Sequence, residues 1–367
     1  MLDLKTKTFM TLIDHLKLRI ANKGYLNVAQ FMEACLTHPT YGYYITRDPI
    51  GSAGDFTTAP EISQMFGELI GCWAAAVWKE LGSPKPLSWI ELGPGHGTLT
   101  ADAIRAIEQV SAMTKEINVH LVETSPILRQ RQKEILTKWH PTWHADMETI
   151  PGGPSIIIAN EFFDALPIRQ FMRKKQTWRE RIVTLDKHGA LAFTWSSPIS
   201  SIPKQLASPA EVPNGEIVEI CPSAIKLAKT LTHHLCSHGG VGLIIDYGYD
   251  AHIVGDTLQA VINHTYTSIL EAPGEADLSA HVDFKTIAGA VKSAGGITYG
   301  PVTQGNFFRS LGIEARVKQL SENATPQQLI NIKRAFERLT KTDAMGLLFK
   351  VMGVGVPGQL HLPGFSN

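Results

Sequence analysis

The sequence predicts an α/β fold with a seven-stranded sheet, a helical extension before the sheet and a β element inserted into it. The first observation is that short, almost wholly apolar runs alternate with helical patterns from Leu87 onward. This alternation is typical of βαβ units, whose parallel strands are covered on both faces. The second is that two late strands, separated by helices, follow five parallel ones, which gives seven strands instead of the six of a dinucleotide fold.

Each strand is predicted from one apolar run. In chain order the runs are LSWIEL (87–92), INVHLVE (117–123), a short one near Trp143, SIIIAN (155–160), VGLIID (241–246), ITYGPV (297–302) and GLLFKVMG (346–353). Between the second and third strands, Ser125 as N-cap and Pro126 at the first helical position predict the start of a helix.

Two regions lie outside the predicted sheet. Residues 1–84 are predicted to be helices joined by a Gly-rich loop, RDPIGSAGDFTT (47–58), with a capping-box pattern at Thr58 and Glu61. The stretch RERIVTLDKHGALAFTW (179–195) predicts a hairpin with a turn around Lys187 to Gly189. The expected domains are a helical N-terminal lid at 1–84, a core at 85–165 and 215–367, and an inserted β subdomain at 166–214.

The composition bounds the possible partners. The 367 residues carry 34 basic and 34 acidic side chains, so the formal net charge is zero and nothing draws the chain generally to nucleic acid. The longest apolar run, LIGCWAAAVW (69–78), is too short to span a bilayer. Four cysteines without CxxC pairing favour a reducing compartment, and the first twenty residues lack a signal or transit pattern. We expect a cytoplasmic protein without nucleic-acid partner or membrane insertion; the oligomeric state is left open.

A glycine-rich turn, ELGPGHGTLT (91–100), follows the first predicted strand and contains Gly93, Gly95 and Gly97. Such a turn brings backbone N–H groups and a helix N-terminus to a ligand. A P-loop needs a lysine near its last glycine, and dinucleotide loops run G-x-G-x-x-G, so neither pattern fits. Glu91 would repel a pyrophosphate but suits a cationic sulfonium. The turn therefore favours S-adenosylmethionine, with a turn that binds nothing as the alternative.

Glu123 ends the second predicted strand. An acidic residue at this place in doubly wound folds accepts hydrogen bonds from ribose hydroxyls. We therefore predict that Glu123 binds the same cofactor as the glycine turn.

The fourth strand leads into ANEFFDALPIRQF (159–171), where the methyl acceptor is expected. Asn160 is followed by Glu161 and Phe162, in place of the prolines of base-modifying methyltransferases. Glu161 and Asp164 form a carboxylate pair suited to a planar guanidinium, with Phe162 and Phe163 beside it. Asn160, Glu161 and Asp164 are candidate catalytic residues. The alternative is that the two acids cap a helix beginning near Leu166.

Three further residues are assigned to the same cleft. Asp246, in IIDYGY, ends the fifth predicted strand and is expected to bind substrate, with a turn carboxylate as the alternative. In ADLSAHVDFKTI (276–287), His281 is a candidate proton acceptor and Asp283 a second catalytic candidate. Ser279 or Asp283 as a helix N-cap is the simpler interpretation.

The histidine-rich stretch HHLCSHGG (233–240) is the one metal-like pattern. Adjacent histidines on a helix point to different faces, and no second group of cysteines or histidines has a usable spacing. We predict no metal site.

Long motifs along the chain resemble the MidA family of bacterial and mitochondrial S-adenosylmethionine-dependent methyltransferases. They are GDFTTAPEISQMFGE (54–68), ELGPGHGTL (91–99), ANEFFDALPIRQF (159–171), DYGY (246–249), GDTLQAV (255–261), DLSAHVDF (277–284) and MGLLFKVM (345–352). The resemblance implies a class I methyltransferase fold, a seven-stranded Rossmann-like sheet.

The resemblance also implies an activity. The family includes the complex I assembly factor that acts as a protein arginine methyltransferase, which implies symmetric dimethylation of an arginine in the 49-kDa-type quinone-site subunit of NADH dehydrogenase. By motif match, Asp55 joins the residues already named in the substrate cleft. The family usually has arginine where this chain has His96. The rival interpretations are a methyltransferase of RNA or small molecules, a non-catalytic assembly chaperone, and an NAD-dependent oxidoreductase.

Overall fold

The computed structural model describes residues 10–51, 54–113, 117–201, 203–204, 206, 211–251, 253–358 and 360–365. Ser52 and Ala53 of the predicted Gly-rich loop lie outside the described residues. The helices are α1 (Leu12–Lys23), α2 (Val28–Thr37), α3 (Tyr43–Thr46), α4 (Ala59–Ile62), α5 (Gln64–Glu80), α6 (Thr98–Val110), α7 (Pro126–Ile135), α8 (Pro222–His238), α9 (Phe284–Ser293), α10 (Gln304–Ser310), α11 (Ile313–Ser321), α12 (Pro326–Thr340) and α13 (Met345–Leu348).

The strands follow the same chain order. They are β1 (Leu26–Asn27), β2 (Leu87–Leu92), β3 (Ile117–Val122), β4 (Thr142–His144), β5 (Ser155–Asn160), β6 (Arg169–Lys174), β7 (Thr177–Leu185), β8 (Leu191–Trp195), β9 (Ile217–Ile220), β10 (Gly240–Tyr249), β11 (Gln259–Ile262), β12 (Thr265–Thr267), β13 (Asp277–Ser279), β14 (Val282–Asp283), β15 (Ile297–Thr303) and β16 (Phe349–Gly355).

The chain forms two compact units. The minor unit comprises Met1–Arg47, Pro167–Cys221 and Val254–Ala280, and the major unit comprises Asp48–Leu166, Pro222–Ile253 and His281–Asn367. This division differs from the expected domains. Residues 48–84 group with the core in the major unit instead of forming a separate N-terminal lid. Residues 254–280, which were expected in the core, belong to the minor unit.

The main sheet lies in the major unit and runs in the order β15-β16-β10-β5-β2-β3-β4, with the two-residue β14 added to β10. Strands β10, β5, β2, β3 and β4 are parallel, whereas β16 is antiparallel to both neighbours. The predicted α/β fold and its seven strands are confirmed. The last strand begins at Phe349 instead of Gly346, because Met345–Leu348 form a helical turn.

Helix α5 joins this core because two glycines let it approach α6 closely. A methyl group on Gly71 would lie 2.3 Å from the carbonyl oxygen of Ala103, and one on Gly67 would lie 2.7 Å from Cβ of Asp102. The apolar run at 69–78 is therefore a helix packed in the core of the major unit. Over the part of the chain that the structure describes, every helix is too short or too polar to cross a membrane.

The minor unit contains a sheet of order β1-β7-β6-β9, in which β8 also pairs with β7, and a second sheet of order β12-β11-β13. The predicted hairpin is confirmed, since β7 and β8 pair antiparallel up to Leu185 and Leu191. Strand β1 pairs with β7 at Leu26 and Val183, which ties the described part of the N-terminal stretch, residues 10–47, to this unit. One core cluster among its described residues consists of Phe171, Trp178, Leu206, Val212 and Ile220.

Candidate active site

The glycine turn lies between β2 and α6 and has the left-handed backbone that its composition predicts. Gly93, Gly95 and Gly97 have φ of 61°, 54° and 89°, values that residues with a Cβ adopt only at a cost. Gly97 is the N-cap of α6. The turn therefore brings the N-terminus of a 13-residue helix to the carboxyl end of the sheet.

Two other segments pack directly on the glycine turn. A methyl group on Gly93 would lie 2.5 Å from the ring of Phe162, and one on Gly95 would lie 2.9 Å from Cδ1 of Ile50. The glycines thus serve a second purpose. They make room for the turn after β5 and for the loop that precedes α4.

Glu123 follows β3 at the same edge of the sheet and is 8% exposed. Its Oε1 accepts the N–H groups of Thr124 and Ser125, both at 2.8 Å, and burial raises its pKa. Its Oε2 accepts a hydrogen bond from Gln132 at 3.2 Å. The carboxyl group is held at the place predicted for a ribose ligand.

Gln132 is a site residue that sequence reasoning missed. Its amide nitrogen donates to the carbonyl oxygen of Gly95 at 2.7 Å as well as to Glu123, so it links the glycine turn to the acidic side chain. It is fully buried on α7, the helix whose start at Ser125 and Pro126 is confirmed. A polar residue on the inner face of that helix was the available signal.

Glu91 points elsewhere than expected. It shares a strand face with Trp89, and both side chains hydrogen-bond to Thr100 of α6. Burial raises the pKa of Glu91 to about 7, against the opposing effect of the Thr100 hydroxyl. Since its carboxyl group bonds to the helix and is only partly ionised at neutral pH, Glu91 connects β2 to α6 instead of presenting a full charge to a ligand.

The segment after β5 is a turn and not the start of a helix, so the alternative of acids capping a helix near Leu166 is wrong. The fully buried carboxyl group of Asp246 replaces helical hydrogen bonding. Its Oδ2 accepts the N–H groups of residues 162–164 at 3.1, 2.9 and 3.2 Å, and its Oδ1 accepts that of Tyr247 at 2.9 Å. Asp246 lies within β10 and not at its end, and it holds the turn instead of lining a cleft.

Two buried oxygens at this turn have no hydrogen-bond partner among the described residues. They are Oδ1 of Asn160 and Oδ1 of Asp164. The other oxygen of Asp164, Oδ2, accepts a 2.6 Å hydrogen bond from the hydroxyl of Tyr247, a second site residue that sequence reasoning missed. Burial raises the pKa of Asp164 to about 6, although the Tyr247 hydroxyl opposes this.

Glu161 occupies the first position of the turn, with a left-handed φ of 48°. Its Oε1 accepts the N–H of Ala59 at 2.7 Å and a hydrogen bond from the side-chain amide of Asn160 at 3.2 Å. Burial, followed in effect by the charge of Asp164, raises the pKa of Glu161 to about 7. Three carboxyl groups are thus concentrated at one turn, those of Glu161, Asp164 and Asp246.

The predicted capping box at α4 is not formed. Thr58 is the N-cap residue but makes no side-chain cap hydrogen bond. Glu61 instead accepts a 2.5 Å hydrogen bond from the hydroxyl of Thr98, and its Oε1 lies 3.5 Å from Nδ1 of His96. The prediction of a capping box was wrong because the carboxyl group of Glu61 contacts the glycine turn and α6 instead of the N-terminus of α4.

The remaining predicted residues differ in position. The ring of His281 packs edge-on against that of Tyr247, with 5.5 Å between the ring centroids. Burial lowers the pKa of His281, so its imidazole is neutral near pH 7. Asp283 is the N-cap of α9, the simpler interpretation, and accepts the N–H of Thr286 at 2.9 Å. Phe163 is 3% exposed and is a core residue. The N–H of Asp55, 8% exposed, donates to Pro49 at 2.8 Å.

The site groups lie side by side because β5, β2 and β3 are adjacent and parallel. Asn160, the glycine turn and Glu123 follow the carboxyl ends of these three strands. The edge therefore offers helix-terminal N–H groups, a carboxyl group and a buried amide oxygen to one extended ligand. Within the described ranges, no group of three or more His, Cys, Asp or Glu side chains is arranged to hold a metal ion.

Comparison with protein families and curated proteins gives a consistent result. Residues 69–302 match the model of a family of S-adenosyl-L-methionine-dependent methyltransferases. The chain is 36% identical to "Protein arginine methyltransferase NDUFAF7, mitochondrial" of Danio rerio, over 94% of this chain and 86% of that protein. It is 37% identical to the protein of that name from Xenopus tropicalis (97% and 89% covered) and 34% identical to that from Homo sapiens (92% and 82%).

Solved structures share the fold. A Burkholderia thailandensis protein crystallised with S-adenosyl-homocysteine superposes with a TM-score of 0.81 at 24% identity, over 97% of this chain and 92% of that one. A native crystal structure of an uncharacterized protein from the same organism gives 0.82 at 25% identity, over 97% and 94%.

Proposed function

The chain belongs to this family of S-adenosylmethionine-dependent methyltransferases, which its motifs resemble, and on that basis we propose that its methyl acceptor is an arginine side chain of a protein. S-adenosylmethionine is the cofactor and supplies a methyl group activated by a sulfonium. We propose that the glycine turn binds it through backbone N–H groups, that Glu123 binds its ribose and that Asn160 lies next to it.

One observation carries the choice of acceptor. The unpartnered oxygens of Asn160 and Asp164 are buried within a turn that holds three carboxyl groups. Buried acceptors without donors are costly, and a guanidinium offers five N–H donors in one plane. An arginine side chain at this turn would supply both donors and the balancing charge.

The charges at the turn support a cationic acceptor. Burial and mutual repulsion raise the pKa values of Glu161 and Asp246, while four N–H bonds favour the ionised form of Asp246. A cation bound among these groups would stabilise their ionised forms, and a neutral acceptor would leave the repulsion unrelieved.

The methylated nitrogen must lose a proton, and Asp164 is our first candidate to receive it. Its Oδ1 is unpartnered while its Oδ2 is fixed by Tyr247, so the carboxyl group is already oriented. Glu161 and the neutral His281 are the other candidates. Holding the nitrogen in line while drawing off its proton would supply much of the catalysis.

The finer part of the proposal comes from the family resemblance. It is symmetric dimethylation of an arginine in the 49-kDa-type quinone-site subunit of NADH dehydrogenase, in support of complex I assembly and in the cytoplasm. The names of the relatives support arginine methylation of a protein and place those relatives in mitochondria. Cell fractionation tests the location.

The test is methyl transfer from labelled cofactor into an extract of cells that lack this gene. We expect label in one protein, recovered after hydrolysis as methylarginine, with mass spectrometry of complex I subunits locating the residue. Label in RNA or in metabolites would contradict the proposal, and cofactor binding without any transfer would favour an assembly chaperone.

Asp164→Asn tests the role of the turn. We expect transfer to fall about 100-fold or more, because proton removal is lost, with cofactor affinity unchanged by calorimetry. Asp250→Asn, an exposed carboxyl group just past β10, is the matched control and should transfer like wild type. Full activity of Asp164→Asn would make its carboxyl group purely structural.

A further inference from the structure

His96 stands between two glycines of the turn and contacts a carboxylate with each ring nitrogen. Its Nε2 lies 2.8 Å from Oδ1 of Asp48, and its Nδ1 lies 3.5 Å from Oε1 of Glu61. The three side chains are 19%, 24% and 22% exposed, so solvent screens these contacts only in part.

Two carboxylates on one imidazole decide its protonation state. A neutral imidazole has a single N–H, so one of its nitrogens would present a lone pair to a carboxylate. The doubly protonated ring presents an N–H to both. The geometry therefore fits the imidazolium form.

The two carboxylates lie at opposite ends of the segment that packs on the glycine turn. Asp48 lies near the start of the Gly-rich loop at 47–58, and Glu61 lies in α4, which follows the loop. The loop is hydrogen-bonded to itself, with the N–H of Gly51 donating to Phe56 at 2.9 Å, and its Ile50 side chain contacts the place where a Cβ of Gly95 would lie. His96 thus connects both sides of this loop to the turn expected to bind the cofactor.

We propose that His96 is a positioning residue whose protonated ring joins Asp48 and Glu61 to the glycine turn, so that cofactor affinity depends on the charge of this side chain. Cofactor affinity can be measured whatever the methyl acceptor is. Asp48, Glu61 and His96 are all described residues, and Asp48 and Glu61 lie on either side of Ser52 and Ala53.

Other charged groups surround this cluster from each neighbouring element. Arg131 of α7 lies 3.5 Å from Oδ2 of Asp48, and Asp102 of α6, itself paired with Arg105 at 2.8 Å, interacts with Glu61. The positive charge of Arg131 disfavours a positive charge on His96, whereas the carboxylates of Asp48 and Glu61 favour it. The hydrogen bond to Glu61, followed by that to Asp48, raises the pKa of His96 to about 8, although burial opposes this.

The sign of the pH effect follows from that raised pKa. The ion pairs of protonated His96 with Asp48 and Glu61 are fully formed below the ordinary histidine pKa of about 6.5. They are lost as the pH rises through about 8 and the ring loses its proton. Glu61, whose pKa His96 lowers, stays ionised down to acid pH. Cofactor affinity should therefore be highest in neutral and mildly acidic solution.

The experiment is calorimetry of the full chain with S-adenosylmethionine at pH 6.5 and pH 9. We expect wild type to bind about five to ten times more weakly at pH 9, the effect of losing two partly exposed ion pairs. His96→Gln should bind weakly at both pH values. His96→Arg, which keeps a positive charge, should bind tightly at both, and His188→Gln, an exposed histidine in the hairpin turn of the minor unit, should follow wild type.

A second measurement is independent of cofactor binding. NMR titration of the free protein should assign His96 a pKa above 7, and hydrogen exchange at residues 56–61 should accelerate in His96→Gln but not in His96→Arg. The proposal is overturned if His96 titrates below its ordinary value, or if a folded His96→Gln binds cofactor like wild type at both pH values. If His96→Gln fails to fold, the wild-type titration and His96→Arg decide the matter.

Discussion

The hydroxyl group of Tyr247 orients the carboxyl group of Asp164. Tyr247 donates to Oδ2 and leaves Oδ1 directed away from that bond, so the hydroxyl both fixes the carboxyl group and favours its ionised form. A tyrosine in this role acts through Asp164 and need not touch the acceptor itself.

Tyr247→Phe should therefore lower the turnover number about tenfold and move the acidic limb of the pH–rate profile to higher pH, because the pKa of Asp164 rises further. Steady-state kinetics between pH 5 and 9 measure both effects. Tyr299→Phe is the matched control, since the buried Tyr299 hydroxyl has no hydrogen-bond partner among the described residues and should be dispensable. A pH profile unchanged by Tyr247→Phe would contradict the positioning role.

At the residue scale, the sequence pattern predicted only those site residues that lie close together in the chain. Asn160, Glu161 and Asp164 follow one strand, so their shared turn could be read directly. Tyr247 and Gln132 could not be identified, because their contacts bridge 83 and 37 residues respectively. Glu91 was misjudged since strand alternation directs it to α6, where Thr100 provides a hydrogen-bond donor.

At the scale of elements, the glycine turn is the part most constrained by sterics. Its left-handed backbone and the ring of Phe162 exclude a side chain at Gly93 independently of each other. The turn is therefore sensitive both in its own conformation and in its contact with the acidic turn after β5.

Gly93→Ala should destabilise the protein by roughly 1 to 2 kcal/mol from backbone strain and should also weaken cofactor binding more than tenfold, because Phe162 is displaced. Urea unfolding and calorimetry separate the two effects. Gly24→Ala is the control, with a comparable φ of 87° but open space around the added methyl group. It should lose stability without losing cofactor affinity, and equal affinities of the two variants would argue against the contact with Phe162.

The central strands β2 and β5 of the main sheet were predictable because their burial on both faces makes them nearly continuous apolar runs. The start of α7 was predictable from its cap. The turn after β5 was not, since its N–H groups donate hydrogen bonds to the carboxyl group of Asp246, 82 or more residues away, in place of the helix that local sequence would allow. Local patterns fail where a distant side chain satisfies the backbone.

At the scale of the whole molecule, domain boundaries were the least predictable feature. Three separate stretches of chain make up the minor unit, joined by pairings such as Leu26 with Val183. Long-range strand pairing, and not a linker, sets these boundaries.

The stability of the molecule should carry a pH dependence from buried Glu91. The pKa of Glu91 is about 4.5 in the unfolded chain and is raised to about 7 in the folded protein, so the unfolded chain loses this proton first as the pH rises. The free energy of unfolding therefore falls progressively between about pH 4.5 and 7. Glu91→Gln removes this effect. Relative to wild type, its free energy of unfolding should improve by about 2 to 3 kcal/mol between pH 4.5 and pH 7.5.

Urea unfolding at both pH values, without cofactor, measures that change. Glu108→Gln on α6 is the control. The hydrogen bond from Lys138 lowers the pKa of Glu108, so the stability from this group is largely present above its ordinary pKa, and the variant should differ from wild type by a similar amount at both pH values. A difference between Glu91→Gln and wild type that does not vary with pH would show that Glu91 is ionised at little cost.

The carboxyl group of Asp246 organises three consecutive peptide groups of the acidic turn by itself. In a helix, each of these N–H groups would donate to a different backbone carbonyl oxygen. Here a single codon determines whether the turn that we propose to bind the acceptor has a defined shape, so natural variation at this codon should be tolerated only in lineages that have abandoned methyl transfer.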